Sequence, residues 1–155
     1  MFHLPIKQSV LAMLAVSFLL EAGSAGSRVL YAGGTVSALK TKSEIRIDLI
    51  QDSALNLNAN GRTIQIPYKS INTVEYGLHV SRRYVEAVLI SPVFLVAKRR
   101  SHFLTIGYQD PEGLQQAMVL QVNKADIRAL LVSLEARTGL RVEYQDEEAR
   151  KAGKG

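Results

Sequence analysis

The sequence predicts a mainly β domain of the α+β class, in which about seven antiparallel strands precede one C-terminal amphipathic helix. Three observations indicate this class. Apolar and polar residues alternate along much of the chain, which is the period of strands with one buried face. Turn-forming Asn-Gly and Asp-Pro-Glu-Gly sequences separate these stretches. The apolar period becomes helical only near the end of the chain.

Residues 1–25 are predicted to be a secretory signal peptide. A positively charged start leads into the apolar stretch Val10 to Leu20, and Gly23 and Ala25 are small residues before a cleavage point. Eleven helical residues span ~16 Å, about half of a ~30 Å hydrocarbon core, so an uncleaved membrane anchor is the less favoured alternative. We therefore expect an exported protein, periplasmic or extracellular, that begins at Gly26.

The composition excludes several classes of site. The 155-residue chain has no cysteine, which excludes disulfides, thiolate zinc sites and thiol nucleophiles. Its 19 Lys and Arg exceed its 14 Asp and Glu, giving a formal charge of +5. A nucleic-acid surface combines such charge with aromatic stacking platforms or a groove-binding helix. The chain has no tryptophan and few other aromatic residues, and export is expected, so we expect no nucleic-acid partner.

The first strands of the domain are predicted from two turn signals and from alternation. Gly33-Gly34 in the stretch LYAGGTV predicts a tight turn or a β-bulge. Asn60-Gly61 lies between two alternating stretches and predicts a type I′ hairpin turn. Alternating residues predict strands at 45–49, 55–58, 63–66 and 71–76.

The second half of the domain is predicted to add two strands and the helix, and Leu140 to Tyr144 could add a short strand after it. Strands at 103–109 and 115–122 are joined by Asp110-Pro111-Glu112-Gly113, which is typical of a type I turn. The following helix is expected to begin after Asn123 and to end at Gly139. Its core-facing residues recur at helical spacing, and they are Ile127, Leu130, Leu131 and Leu134.

The last residues of the chain are predicted to lie outside the folded domain. From position 145 onward the sequence QDEEARKAGKG contains no apolar residue larger than alanine. We therefore expect a disordered tail over 145–155, and a folded domain over 27–144.

One segment needs a functional explanation. Residues 82–100 contain the apolar stretch VEAVLISPVFLVA, where a hairpin connection needs only ~2–5 residues. Thirteen helical residues span ~20 Å, too few to cross a bilayer, and Pro92 would kink or break the helix. Five cations bracket the stretch, namely Arg82, Arg83, Lys98, Arg99 and Arg100.

Three interpretations of this segment remain open. It could be a helical cap on the sheet, with its apolar side in the core. It could be an interfacial insertion in which Phe94, Leu95 and Val96 enter lipid while the cations bind anionic headgroups. It could instead be a protein interface. The candidate membrane- or partner-binding residues are Arg82, Arg83, Phe94, Leu95, Lys98, Arg99 and Arg100.

The order of elements resembles a pleckstrin-homology-like domain, including its GRAM-type and bacterial relatives. The resemblance rests on LYAGGTV, TIQIPYKSINTVEYG, HFLTIGYQDPEG and NKADIRALLVSLEARTG. It implies a bent antiparallel barrel with a C-terminal helix and a scaffold that binds lipids, peptides or proteins and rarely catalyses. Phosphoinositide-binding members carry a first-loop Lys and an Arg-x-Arg pair. Here Lys40, Lys42 and Arg46 are basic, but Glu44 replaces the first Arg, so that headgroup site does not carry over.

The sequence carries no recognisable catalytic, metal or cofactor motif. Asn56-x-Asn58-x-Asn60-Gly61 has the spacing of a calcium loop, but it lacks carboxylates, and Pro67 stands where the bidentate Glu belongs. His79 and His102 have no metal-ligand spacing. We expect a non-catalytic binding or assembly module without a cofactor. The alternative is a small extracytoplasmic enzyme whose site holds both histidines at the barrel mouth.

Overall fold

In the computed structural model, which describes residues 26–81, 90, 92–95 and 101–154, one mixed sheet of eight strands forms the fold. The strands are β1 Ser27–Gly34, β2 Glu44–Asp48, β3 Ala54–Ala59, β4 Arg62–Pro67, β5 Ile71–Gly77, β6 His102–Gln109, β7 Gln115–Val122 and β8 Glu143–Tyr144. Their order across the sheet is β4-β3-β2-β1-β7-β6-β5-β8. Neighbours are antiparallel except β8, which runs parallel to β5.

The predicted mainly β class is therefore confirmed, whereas the sheet differs from the predicted barrel of about seven strands. Among the described strands, β4 and β8 are two separate edges, so the sheet is open. Short β8 is the additional strand.

Three α-helices and one 3-10 helix complete the described part of the chain. The 3-10 helix is Tyr68–Ser70, and the α-helices are α1 Pro92–Leu95, α2 Lys124–Thr138 and α3 Glu147–Lys154. None of the helices in these described ranges is both long and apolar enough to cross a membrane.

Helix α2 closes the main core as the sequence predicts. Asn123 is its N-cap residue, and Gly139 ends it in the left-handed conformation with φ 74°. Its four predicted core residues are all buried, and they join a cluster with inward-facing residues such as Ile47, Leu55 and Leu104. Periodic leucines on one helical face are hidden from water only when they lie on the sheet, so this burial stabilises both elements.

The predicted turns are also confirmed. Asn60 and Gly61 have φ values of 50° and 74°, as a type I′ hairpin requires. The register of β1 against β7 shifts between Tyr31 and Gly33, which is the bulge expected near the glycine pair. In the Asp-Pro-Glu-Gly turn, the Gly113 N–H donates to the Asp110 carbonyl at 2.9 Å.

The C-terminal residues form a helix where the sequence predicted a disordered tail. The Asp146 carboxylate accepts a hydrogen bond from the Ala149 N–H at 2.7 Å and so caps α3. Acidic residues occupy its first turn and lysines its last turn, which suits the helix dipole. Ala149 and Gly153 are buried, and a Cβ atom at Gly153 would lie 2.8 Å from the Tyr144 ring. Small residues thus let α3 pack closely on tyrosines, and no large apolar residue is needed.

Candidate functional site

Strand register brings the two ends of segment 82–100 to one end of the sheet. Val29 of β1 pairs with Val122 of β7, and Val122 pairs with His102 of β6. The start of β1, the end of β7, the start of β6 and the end of β5 therefore lie side by side. We call this the proximal end, and we call the opposite end, with the β1–β2 loop and the β6–β7 turn, the distal end.

The described part of the segment packs on the outer face of the sheet, away from α2. Phe94 of α1 contacts Phe103 edge to face, with ring centroids 6.3 Å apart. Ala32 and Val119 complete this second apolar cluster, and Ile90 packs against it. Ile90 also forms a β-bridge with Gly33. The segment is thus anchored to three adjacent strands at this point.

The neighbours of Phe94 are placed differently. Phe94 is only 9% exposed, whereas Val93 is 51% exposed and Leu95 is 47% exposed. Consecutive side chains of a helix point in different directions, so a single turn can bury one side chain and expose the residues before and after it to solvent. The structure therefore places Leu95 on the surface, as a binding residue requires, but it places Phe94 in a structural contact.

The predicted cations of the site lie outside the described residues. These are Arg82, Arg83, Lys98, Arg99 and Arg100, and most of the apolar helix expected over 85–97 lies outside as well. Sequence reasoning named Phe94 and Leu95 but missed Val93. Val93 can be recognised as an exposed apolar residue only after the structure shows that its neighbour Phe94 faces the sheet.

A buried polar contact fixes the C-terminal segment to the proximal end. Glu75 of β5 is 4% exposed on the outer face and accepts a hydrogen bond from Gln145 Nε2 at 3.1 Å. The same Nε2 donates to the His79 carbonyl at 2.9 Å. A Cβ atom at Gly77 would lie 1.7 Å from Gln145 Oε1, so the amide crosses the strand where a side chain is missing.

The two histidines of the alternative enzyme site have separate surroundings. His102 stacks on Tyr76, and its Nδ1 lies 2.5 Å from the Tyr76 hydroxyl. Burial raises the pKa of Tyr76 to about 12. Burial, reinforced by the charge of Lys124, lowers the pKa of His102. His79 contributes its backbone carbonyl to Gln145. Within the described ranges no three His, Asp or Glu side chains are grouped so that they could hold a metal ion.

The basic residues of the first hairpin lie apart from these features. Lys40 and Lys42 belong to the β1–β2 loop at the distal end, and Lys42 has a φ of 69°. Arg46 lies in the middle of β2, opposite Arg28 and Asn58.

No known family model matches the chain, and no curated protein matches it in sequence.

Proposed function

We propose that the protein is an exported, non-catalytic binding module that docks on an anionic membrane surface through residues 82–100. The observation that carries the proposal is the arrangement of α1. Phe94 is held against the sheet, while Val93 and Leu95 beside it remain about half exposed. They belong to a stretch of chain with five cations at its two ends. An apolar tip bracketed by cations is typical of interfacial membrane contact.

The magnitudes favour weak, reversible and salt-sensitive docking. Full burial of a Val or Leu side chain contributes ~1.5–3 kcal/mol, so two half-exposed side chains can contribute about 2 kcal/mol in total. A cation near an anionic surface contributes ~1 kcal/mol, so five cations can contribute more than the apolar tip. Because the larger part is electrostatic, docking should weaken as salt shortens the Debye length to ~8–10 Å.

The N-terminal sequence supports a location outside the cytoplasm. The apolar stretch Val10 to Leu20, followed by the small residues Gly23 and Ala25, is typical of a signal that directs export. We accordingly place the docked module at the outer side of the cytoplasmic membrane.

We also propose that the fold is an open variant of the pleckstrin-homology-like architecture. Three features support this proposal: a four-strand antiparallel meander, a second group formed by β5, β6 and β7, and an amphipathic helix after the last of these strands. Such scaffolds usually bind rather than catalyse, which agrees with a docking role, although a fold alone does not identify a function.

Charge reversal tests the proposal. The double variant Arg99→Glu with Arg100→Glu should weaken flotation with phosphatidylglycerol vesicles at least tenfold at low salt, and the loss should shrink at high salt. The matched control is Lys40→Glu with Arg62→Glu, which changes the net charge equally at two exposed positions outside the segment. Equal loss in both double variants, or no binding by the unmodified chain, would contradict membrane docking. Self-association without vesicle binding would indicate a protein interface instead.

A further inference from the structure

The proximal end also carries a pocket of about 550 Å³ on the helix side of the sheet. It lies between α2, α3 and the ends of β5 and β6. Leu78 and Ala152 supply apolar lining. The charged or titratable residues of the lining are His102, Lys124, Arg128, Glu148 and Lys151. Three cations and one carboxylate thus surround a space large enough for a small organic ligand.

The positions of the two cations on α2 are unfavourable for folding alone. Lys124 is the first residue of α2, where a positive charge opposes the helix dipole. Arg128 follows four residues later, and like charges at this spacing repel each other. Lys151 faces the same pocket from α3. Among the described residues, none of these three cations forms an ion pair with a carboxylate. The gathered charge would be stabilised by an anion in the pocket.

His102 lies at the edge of this pocket, where the Tyr76 hydroxyl lies 2.5 Å from its Nδ1. Burial lowers the pKa of His102, which favours the neutral imidazole near pH 7. His102 therefore adds a polar group to the lining and no further charge.

We propose that this pocket binds a phosphomonoester. Cations outnumber carboxylates in the lining by three to one, which suits the charge of about −1.5 to −2 that a phosphomonoester carries at pH 7. Arg128 can donate two parallel N–H bonds to phosphate oxygens, and the lysines act as point charges. The apolar residues Leu78 and Ala152 leave room for the organic part of the ester. The ester can be a soluble metabolite or the headgroup of a phosphatidate.

Titration of the isotope-labelled chain with sn-glycerol 3-phosphate, followed by NMR, tests the site directly. Signals of Lys124, Arg128 and His102 should shift together and saturate, while acetate at equal concentration should leave them in place. Arg128→Gln or Lys151→Gln should weaken binding about tenfold, as expected for one charge-assisted contact. Lys69→Gln and Arg141→Gln are matched controls at exposed positions outside the pocket, and they should bind normally.

Lys124→Gln separates a binding role from a structural role. Without ligand, this variant should unfold at the same or a higher temperature, because it removes a cation from the start of a helix. Its affinity for glycerol phosphate should nevertheless fall about tenfold. A lower unfolding temperature with unchanged affinity would overturn the proposal.

A second titration, with vesicles, shows whether the ester is a soluble molecule or a lipid headgroup. Saturation by free glycerol phosphate indicates a soluble ligand. A response that requires phosphatidate vesicles, and that phosphatidylglycerol vesicles do not produce, indicates the lipid headgroup. Both outcomes support a phosphomonoester site. Equal responses to acetate and to phosphate, or no response to either ester, would overturn it. Because the pocket variants leave residues 82–100 unchanged, their failure and the failure of membrane docking are distinguishable.

Discussion

Substitution of Phe94 should affect stability, whereas substitution of its two neighbours should affect vesicle binding. Phe94→Ala removes a ring that packs edge to face on Phe103, whereas Val93→Asn with Leu95→Asn changes side chains that are about half exposed. We expect the first variant to lose stability and the second to lose vesicle binding. The contrast is informative because all three residues lie in the same helical turn.

The size of the stability loss follows from the burial of Phe94. Burying a Phe side chain contributes ~1.5–3 kcal/mol, and an edge-to-face aromatic pair adds ~0.5–1.5 kcal/mol. Phe94→Ala should therefore lower the free energy of unfolding by about 2–4 kcal/mol. For a domain of this size, each kcal/mol corresponds to roughly 4 °C in Tm, so Tm should fall by about 8–16 °C. The double Asn variant should remain within ~0.5 kcal/mol of the unmodified chain.

Urea unfolding followed by circular dichroism measures the stability of both variants, and vesicle flotation measures their binding. A constant m-value would show that the two chains unfold in the same way. If Phe94→Ala left the urea midpoint unchanged, α1 would not be anchored to the sheet. If the double Asn variant floated as well as the unmodified chain, the exposed turn would have no part in docking.

Three further predictions concern the rest of the fold. Gly77→Ala should displace Gln145 and lower stability by ~1–2 kcal/mol, the cost of a lost hydrogen bond to a buried carboxylate, as measured by urea midpoint. Leu134→Ala should cost ~2–5 kcal/mol, because the Leu134 side chain of α2 is fully buried; a loss below ~0.5 kcal/mol would show that α2 is not docked. Burial raises the pKa of Tyr31 and of Tyr76 to about 12, whereas unfolded tyrosine ionises near pH 10. The unfolded chain therefore binds fewer protons between pH 10 and 12, so stability should fall across that window by up to ~3 kcal/mol per tyrosine; an unchanged urea midpoint there would contradict it.

Local sequence signals were sufficient where structure depends on near neighbours. The turn at Asn60-Gly61 follows from backbone conformations that few other residues adopt, and α2 follows from the spacing of its leucines. The edges of the sheet depend on which distant strands pair. The alternating residues of β4 or β5 carry no information about that choice, so a closed barrel was predicted where the sheet is open.

Helix α3 was missed because its packing relies on small residues. The prediction looked for large apolar side chains, but Gly153 packs closely on Tyr76 and Tyr144 because it is small, and Ala149 is buried beside it on α3. Two features of the sequence could have indicated this helix. Asp146 is a good N-cap residue, and the next two turns begin with acidic residues and end with lysines.

The sequence marked the segment of the candidate site but not its packing. An apolar stretch between cations made residues 82–100 unusual, yet the pattern could not show that Phe94 would meet Phe103 on the sheet. The pocket for which we propose a phosphomonoester left no local pattern at all. Its cations come from α2 and α3, and only the fold brings Arg128 near Lys151.

Fluorescence from a single introduced tryptophan tests membrane docking most directly, because the chain contains no natural tryptophan. Leu95→Trp places the reporter on the exposed side of α1, and Leu114→Trp places one at another exposed position, at the distal end. On addition of phosphatidylglycerol vesicles, emission from Leu95→Trp should shift to shorter wavelength, whereas Leu114→Trp and uncharged vesicles should give no shift. Identical spectra for both reporters, with and without anionic vesicles, would contradict the proposed membrane contact.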